Sequence, residues 1–288
     1  MSSQANDMLL ELARGAAPAY ASTGRVAAVV AAGSVGRGLA DTFSDLELDI
    51  YWSMPPSDED RRGVVSALGG ELRSIWPYEP DEGEWAEYYR LDNCDIGVSG
   101  FLAEWMTTCI EDVVERADPN EYKQMRLAAI NDGIVLFGSG VVEEWRSRSR
   151  IYPDALAVAI ATDYLGADRL GSWHQRRALV ARDEVLMLRA LCPPVTGMVL
   201  GALCAVNRIL IEHPRFKWTA RLVDRMPIAP VDLRGRLWSV ANGPAADAVS
   251  ILEGLLADTI AIVEHELPDV PLAPLRAELA GGRVEISD

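Results

Sequence analysis

Three carboxylates alternate with apolar residues in one short stretch of the sequence. Asp45, Glu47 and Asp49 are separated by Leu46 and Leu48. Because side chains alternate across a β-strand, the three acids would project from one face while the leucines anchor the other face in a core. Neighbours on one face lie roughly 7 Å apart along the backbone, so two flexible carboxylates can converge on one or two hard cations. A solvated strand face produces the same alternation and is the alternative.

A glycine-rich turn precedes the acidic strand. The apolar run 26–31 predicts a strand that leads into the motif Gly33-Ser34-x-Gly36-x-Gly38. Glycines permit positive φ angles and a close approach of the backbone to a ligand. Successive N–H groups at such a turn, and at the start of a short following helix, form a cradle for phosphate groups. A phosphate cradle shortly ahead of a cation-binding strand predicts a site for a phosphorylated ligand and a metal ion.

The turn and the strand together resemble a known signature. Gly33-Ser34 followed by Ser44-Asp45-Leu46-Glu47 resembles the DNA polymerase beta-like nucleotidyltransferase superfamily, and the form Gly-Ser-x-Gly-Arg is most similar to the kanamycin (aminoglycoside) nucleotidyltransferases. The resemblance implies that Asp45 and Glu47 bind Mg²⁺. It also implies that Gly33, Ser34 and Arg37 contact the nucleotide. Asp49 departs from the family pattern, in which a hydrophobic residue is usual, and could support the metal ligands from behind.

A third metal carboxylate is implied on a later strand. Within the stretch 88–98, which reads as one or two strands, Asp95 lies between Cys94 and Ile96. A carboxylate on a strand that otherwise faces a core is costly unless it is paired or bound to a metal. The resemblance assigns the third metal ligand to Asp95, with Asp92 as the alternative. A strand-end Asp in a turn would explain Asp95 without a metal.

The order of helical and strand patterns predicts two domains. Residues 1–150 read as an α/β (α+β) nucleotidyltransferase domain with a small mixed sheet, residues 151–269 as an all-α helix bundle, and residues 270–288 as a surface tail rich in Pro, Gly and acids. The predicted elements of the first domain are helices at 4–19, 58–73, 102–116, 119–131 and 139–150, and strands at 26–31, 44–52, 88–98 and 133–138. The last strand, an apolar run bracketed by glycines, is expected at the edge of the sheet. The bundle helices are expected at 154–171, 174–191, 195–212 and 244–266, separated in part by Pro193-Pro194 and Pro214.

The helical domain offers candidates for a general base. In kanamycin-type enzymes a carboxylate from the equivalent helix, just before a Trp, is the proposed base. Aligning Trp173 with that Trp assigns the role to Asp168, although the family residue is Glu and the flanking residues differ. Asp163 and Asp183 are alternatives, and a solvated helix face would explain each of the three acids.

Polar residues next to the apolar run 198–210 also need an explanation. Asn207 and Arg208 require hydrogen-bond partners in such surroundings, and a structural contact would suffice. Lys217, after the break at Pro214, could reach a triphosphate, so we count it among the nucleotide-binding candidates.

The charge composition of the chain indicates which classes of ligand it can bind. The chain of 288 residues carries a net charge of −16, which disfavours nucleic acid, whose binding depends on Lys and Arg neutralising phosphates. The same charge would attract a cationic small molecule such as an amino sugar. The longest apolar run is too short to span a bilayer, and no signal-peptide pattern opens the chain. Four cysteines without paired spacing indicate free thiols, so we expect a cytoplasmic protein without a membrane partner.

The sequence thus predicts a Mg²⁺-dependent transferase that moves a nucleoside monophosphate, expected to be AMP from ATP, to a hydroxyl of a small aminoglycoside-like acceptor. A substrate hydroxyl would attack the α-phosphorus and pyrophosphate would leave. A toxin–antitoxin type of nucleotidyltransferase that acts on tRNA or protein is a second hypothesis. A catalytically silent nucleotide-binding module is a third. The resemblance also implies a homodimer.

Overall fold

The structure, a computed structural model, describes residues 4–281. The chain forms two compact units. The first comprises the residues up to Glu115 together with Tyr122–Ile151, and the second comprises Arg116–Glu121 and the residues from Tyr152 onward. The first unit combines helices with a six-stranded mixed sheet, and the described part of the second unit is helical. The predicted fold class is confirmed.

The elements of the first unit follow in chain order: α1 (Gln4–Ala21), β1 (Val26–Ala31), α2 (Gly33–Gly36), β2 (Leu46–Trp52), α3 (Asp58–Ala67), β3 (Glu71–Glu79), β4 (Glu84–Leu91), β5 (Cys94–Leu102), α4 (Ala103–Ile110) with a π-helical turn (Glu111–Glu115), α5 (Glu121–Asp132), β6 (Ile134–Phe137) and α6 (Ser139–Ser149). Residue Glu121, the first of α5, belongs to the second unit.

The sheet has the strand order β3-β4-β5-β2-β1-β6. Strands β2 and β5 pair in parallel and every other neighbouring pair is antiparallel. Leu46, Leu48 and Ile50 of β2 are fully buried on one face, where they join a core that includes Ala13 and Ala16 of α1. The apolar half of the alternating pattern therefore anchors β2 as predicted, and β6 is an edge strand as predicted.

One strand was not predicted. The helix expected at 58–73 ends at Ala67, because Gly69 adopts φ +72°, a left-handed conformation that stops a helix. Residues 71–79 then form the edge strand β3. This strand is mostly exposed, so its sequence lacks the alternation that would reveal it. The stretch 88–98 contains two strands, separated at Asp92 and Asn93, which both have positive φ.

The second unit contains α7 (Asp154–Tyr164), a 3₁₀ segment (Ala167–Gln175), α8 (Arg176–Ala181), α9 (Val185–Val206), α10 (Thr219–Asp224), α11 (Leu233–Asn242), α12 (Ala245–Glu266) and α13 (Ala273–Ala280). The centre of this unit is α9, which packs against α12 and α7.

The predicted break at Pro193-Pro194 is wrong, since α9 runs through both prolines. Leu188, Leu191, Val195 and Met198 are all buried and recur at helical spacing on both sides of the prolines. One continuous buried face thus outweighs the backbone hydrogen bonds that the proline rings remove. Both prolines are exposed, so their rings cost no core packing.

By length and composition, α9 is also a candidate for a membrane-crossing helix, with half of the qualifying stretch buried inside the structure. A core helix passes the same test, and α9 packs against α12 and α7 within the second unit.

Residues 270–281 differ from the predicted surface tail. Val270, Leu272 and Leu275 are buried, and Ala273–Ala280 forms α13. Residues 270–281 therefore pack on the second unit through these apolar side chains. Residues 282–288 lie outside the described part of the chain.

Candidate active site

The glycine–serine turn connects β1 to the short helix α2. Gly33 has φ +57°, which an L-residue rarely adopts. The N–H of Gly36 donates to the carbonyl of Ala32 at 2.9 Å, so helical bonding starts only there. The N–H groups of Gly33 and Ser34 precede that bond and have no partner within the helix. Donors arranged in this way suit phosphate oxygens.

Gly36 is required for a different reason. Its φ is not positive, but a Cβ there would lie 2.7 Å from the carbonyl oxygen of Ala31 and 3.0 Å from the Cα of Gly133. The turn therefore packs backbone against backbone, which fixes its position at the end of β1.

The carboxylate of Glu47 lies directly over this turn. A Cβ on Gly33 would come within 1.7 Å of Glu47 Oε2, so only glycine leaves room for the carboxylate. The backbone N–H of Ala32 donates to the carbonyl of Glu47 at 3.0 Å, which ties the turn to β2. Glu47 is exposed, although Leu46 and Leu48 beside it are fully buried. The predicted phosphate cradle and the predicted acidic strand therefore meet at these two residues.

Asp45 and Asp95 lie at the same end of the sheet. Asp45 is exposed and immediately precedes β2. The parallel register pairs Leu46 with Ile96 and Glu47 with Gly97, and this register puts Asp95 beside Asp45. Because side chains alternate, both project from the face that carries Glu47. The structure thus brings the three predicted metal ligands to one sheet face.

Tyr88 of β4 lies on the same sheet face, next to Asp95. It lies opposite Gly97 on β4, and its hydroxyl hydrogen-bonds to Asp95. That hydrogen bond raises the pKa of Tyr88, and so do burial and the nearby charges of Asp95 and Asp45. A Cβ on Gly97 would meet no atom within 4 Å. Open space therefore lies over Gly97, between β2 and β4.

Further along β2, the same sheet face is covered at Asp49. This side chain is 3 % exposed, and Arg126 of α5 approaches its carboxylate at 3.8 Å. Tyr51 donates a hydroxyl hydrogen bond to Asp49 at 3.5 Å. Burial raises the pKa of Asp49 to about 6, Arg126 opposes that rise, and the negative charge of Glu47 adds to it. Asp49 is thus a buried partner of Arg126 rather than part of a solvated face.

Sequence reasoning did not find Arg126. Its guanidinium lies over the rings of Phe101 and Tyr122, at 5.2 and 5.0 Å from their centroids. The available signal was Asp49 itself, since a carboxylate at an inward-facing position needs a cationic partner.

The acidic face offers carboxylate oxygens, which are the ligands that Mg²⁺ prefers. Among the residues that the structure describes, no three His, Cys, Asp or Glu side chains lie close enough together to hold a metal ion. Mg²⁺, however, rarely takes an all-protein cage. It uses one or two carboxylates and completes its octahedron with water and substrate phosphates. A pair of carboxylates next to a turn suited to phosphate is compatible with that donor set, and the assignment of Asp45, Glu47 and Asp95 stays a prediction.

Arg37, also predicted to contact the nucleotide, is anchored within the first unit. Its Nε donates to Asp132 at 3.0 Å, and the side chain is 12 % exposed. This ion pair joins the end of the turn to α5. Its role in nucleotide binding stays a prediction.

The candidates for a general base belong to the second unit and differ in their surroundings. Asp168 is exposed in the 3₁₀ segment, ahead of the buried Trp173. Asp163 is ion-paired with Arg169. Asp183 is exposed and has φ +54°. Among the three, only Asp163 has an ion-pair partner within the part of the chain that the structure describes.

The side chain of Asn207 has a structural role, because its polar atoms form hydrogen bonds within the second unit. Its amide donates to the carbonyls of Leu203 and Ile228 and accepts from the N–H of Ile228. Arg208 is ion-paired with Asp154.

Lys217 is exposed, with its ammonium 5.5 Å from the centroid of the Trp218 ring. Its predicted contact with a nucleotide remains untested.

Comparisons with known proteins add little to this picture. No protein-family model matches the chain, and no curated protein matches it. Among solved structures, the chain is similar to a nucleotidyltransferase-like protein from Exiguobacterium sibiricum 255-15, determined at 1.90 Å resolution. The TM-score is 0.39 at 14% sequence identity, over 90% of this chain and 78% of that one. Similarity at this level carries no argument about function, which depends on the residues described above.

Proposed function

We propose that the chain is a magnesium-dependent nucleotidyltransferase, which moves a nucleoside monophosphate from a nucleoside triphosphate to a hydroxyl group of a small acceptor. One observation carries the proposal. The carboxylate of Glu47 occupies the space over Gly33, so that a turn suited to phosphate and a strand suited to a divalent cation form one open site. Either feature alone has an ordinary structural explanation, whereas their contact does not follow from packing, since Glu47 is exposed.

In this proposal Asp45 and Glu47 hold Mg²⁺, with Asp95 as the third carboxylate. When bound, Mg²⁺ would neutralise phosphate charge and make the α-phosphorus easier to attack. The chain's own contribution is to bind and orient the nucleotide. Backbone N–H groups at Gly33 and Ser34 donate to phosphate oxygens. The open space over Gly97, which is paired with Glu47, leaves room for a ligand on the same sheet face.

The proposed reaction is an in-line displacement. An acceptor oxygen forms a bond to the α-phosphorus, the bond from that phosphorus to the bridging oxygen of the β-phosphate breaks, and pyrophosphate leaves. The hydroxyl proton passes to a carboxylate, for which Asp168 is the candidate that the family resemblance implies. The ion pair between Asp163 and Arg169 supports this choice over Asp163.

We infer the acceptor class from charge. A net charge of −16 favours a cationic acceptor such as an amino sugar or a related metabolite. We expect ATP as the donor, the cytoplasm as the location and a homodimer as the assembly, as the resemblance and the cysteine pattern suggest.

The test is a transfer assay with each nucleoside triphosphate labelled at the α-phosphate, in the presence of Mg²⁺ and a panel of amino sugars. We expect a labelled acceptor and pyrophosphate in equal amounts. Asp45→Asn and Glu47→Gln should each reduce transfer by about 100-fold or more, since each removes charge stabilisation at the reacting phosphate. Glu144→Gln is the matched control, because Glu144 is an exposed acid of α6 without an ion pair among the described residues.

Two outcomes would contradict the proposal. One is transfer that survives the loss of both Asp45 and Glu47, which would place the chemistry elsewhere. The other is the absence of transfer to any acceptor by a folded protein that also fails to bind nucleotide. Label that appears on a tRNA or protein fraction instead of a small molecule would keep the reaction and overturn the acceptor class.

A further inference from the structure

The second unit contains a large cleft that the proposed reaction does not use. Its volume is about 830 Å³, and it lies between one side of α9, the helices α10 and α11, and the loop that follows Pro214. It shares no residue with the candidate active site. Small-molecule sites typically have volumes of 300–1,000 Å³ and walls that are mostly apolar with a few polar groups.

One wall is a stripe of residues along one side of α9. Cys192, Thr196, Gly197 and Leu200 recur at helical spacing and all line the cleft. Burial raises the pKa of the Cys192 thiol, so it is a neutral part of the wall rather than a nucleophile. A Cβ on Gly197 would meet only the ring of Phe216, at 3.9 Å. Open space therefore adjoins the helix at this position.

The charge of the cleft is opposite to that of the chain. Three arginines line it, and none of the described lining residues is Asp or Glu. The surrounding stretch 185–243 has eight Arg and Lys against three Asp and Glu, although the whole chain has a net charge of −16. These arginines favour an anionic ligand in the cleft, because salt screens the distant negative charges of the chain more strongly than it screens charges in contact with the ligand.

One of the three arginines remains available to a ligand. Arg189 donates to the carbonyls of Val240 and Gly243, and Arg234 is ion-paired with Asp224. Arg215 is exposed and forms no ion pair with a described residue.

The loop that carries Arg215 is unusual. Phe216 and Trp218, on either side of Lys217, have φ angles of +50° and +64°. Bulky residues rarely adopt this conformation, and such strain is concentrated in segments that hold ligands. Trp238, on the opposite rim of the cleft, is 71 % exposed, which is high for an indole side chain.

We propose that this cleft binds a small amphipathic anion with a flat apolar body and one carboxylate or phosphate group. The body lies against the α9 stripe and the ring of Trp238, and Arg215 pairs with the anionic group. Charge complementarity and the mostly apolar walls favour this ligand over a polynucleotide, which needs a groove lined with positive charges along its backbone.

The experiment is calorimetric titration of the full chain with three probes of one shape and different charge: 1-naphthoate, 1-naphthalenemethanol and 1-naphthylmethylammonium. We expect 1-naphthoate to bind, the neutral alcohol to bind about tenfold more weakly, and the cation not to bind. A single-stranded DNA decamer of thymidines is titrated in parallel.

Three variants locate the binding. Arg215→Gln should weaken 1-naphthoate about tenfold, because it removes the available guanidinium. Gly197→Leu should abolish binding by filling the cleft, and a thermal melt establishes that it folds. Arg221→Gln is the matched control, since Arg221 is exposed on α10, does not line the cleft and has no ion pair among the described residues.

The proposal is overturned by any of three results. They are equal affinity for the neutral and anionic probes, equal losses in Arg215→Gln and Arg221→Gln, and no binding of 1-naphthoate at millimolar concentration by the folded protein. Tighter binding of the decamer, reduced alike by both arginine variants, would also overturn it and would indicate a nucleic-acid surface.

Discussion

A methyl group on Gly33 should displace the carboxylate of Glu47 while leaving the fold intact. The Cβ of Gly33→Ala would lie 1.7 Å from Glu47 Oε2 and 2.5 Å from Glu47 Cδ. Both atoms belong to an exposed, flexible side chain, so they can move away at little cost in stability. If Glu47 binds the metal that accompanies a nucleotide, this displacement should be visible in binding.

Gly33→Ala should also lose unfolding free energy through backbone strain, and this effect must be separated from the displacement of Glu47. Gly33 has φ +57°, and a left-handed conformation costs an L-residue about 1–2 kcal/mol. Gly38 is the matched control, because it has φ +67° and a Cβ there would meet no atom within 4 Å. Gly38→Ala therefore introduces the same backbone strain without a contact to Glu47.

Both variants should lose about 1–2 kcal/mol of unfolding free energy, which corresponds to about 2–4 °C in Tm for each kcal/mol in a unit of this size. Only Gly33→Ala should weaken Mg²⁺-dependent nucleotide binding, by about tenfold or more, which is about 1.4 kcal/mol or more. The assays are thermal melts and calorimetric titration with a nucleoside triphosphate, with and without Mg²⁺. Wild-type affinity in Gly33→Ala would refute the role of Glu47, and an equal loss in Gly38→Ala would show that strain, not displacement, is responsible.

Two further predictions concern stability. Burial raises the pKa of Glu87 from 4.5 to about 7 despite its ion pair with Arg61, so its contribution to stability is fully present below pH 4.5 and is lost as the pH rises through 7. Glu87→Gln should flatten this part of the pH dependence in denaturant titrations between pH 4.5 and 8, and an unchanged slope would contradict the prediction. In α9, Gly201→Ala should destabilise by about 1–3 kcal/mol because its Cβ would lie 2.1 Å from the Tyr164 ring, whereas Gly197→Ala should stabilise by about 0.5–1 kcal/mol since there is room for it. Thermal melts should show a lower Tm for Gly201→Ala and a higher Tm for Gly197→Ala. Changes of the same sign in both variants would contradict the packing described for α9.

The sequence was informative where local pattern and structure agree. The buried leucines of β2, the turn at Gly33 and the edge strand β6 follow from alternation, glycine chemistry and a bracketed apolar run. The pairing of β2 with β5 could not be read from pattern, because it joins residues far apart in the chain. Only the family resemblance suggested that Asp95 would lie near Asp45.

The failures have a common cause, which is that packing overrides local signals. Prolines 193 and 194 stay inside α9 because a buried face continues across them. The stretch 270–281 packs through three apolar residues that its Pro and Gly content conceals. Asp49 has the pattern of a solvated acid, yet Arg126 and the aromatic rings above the sheet bury it.

The total charge also concealed a local difference. The sequence contains the excess of Arg and Lys in 185–243, but the net charge of −16 by itself predicts only cationic ligands. Charge counted element by element would have indicated the positive cleft.

The central claim is that the open end of the sheet face binds a nucleotide together with Mg²⁺ through Asp45 and Glu47. The most direct measurement is calorimetric titration of ATP, GTP, CTP and UTP into the wild-type protein and into the double variant Asp45→Asn/Glu47→Gln, with Mg²⁺ and with a chelator. The account predicts binding of at least one nucleotide that requires Mg²⁺ and is lost in the folded double variant. Binding that persists without Mg²⁺ and in the double variant would contradict it, as would a folded wild-type protein that binds none of the four.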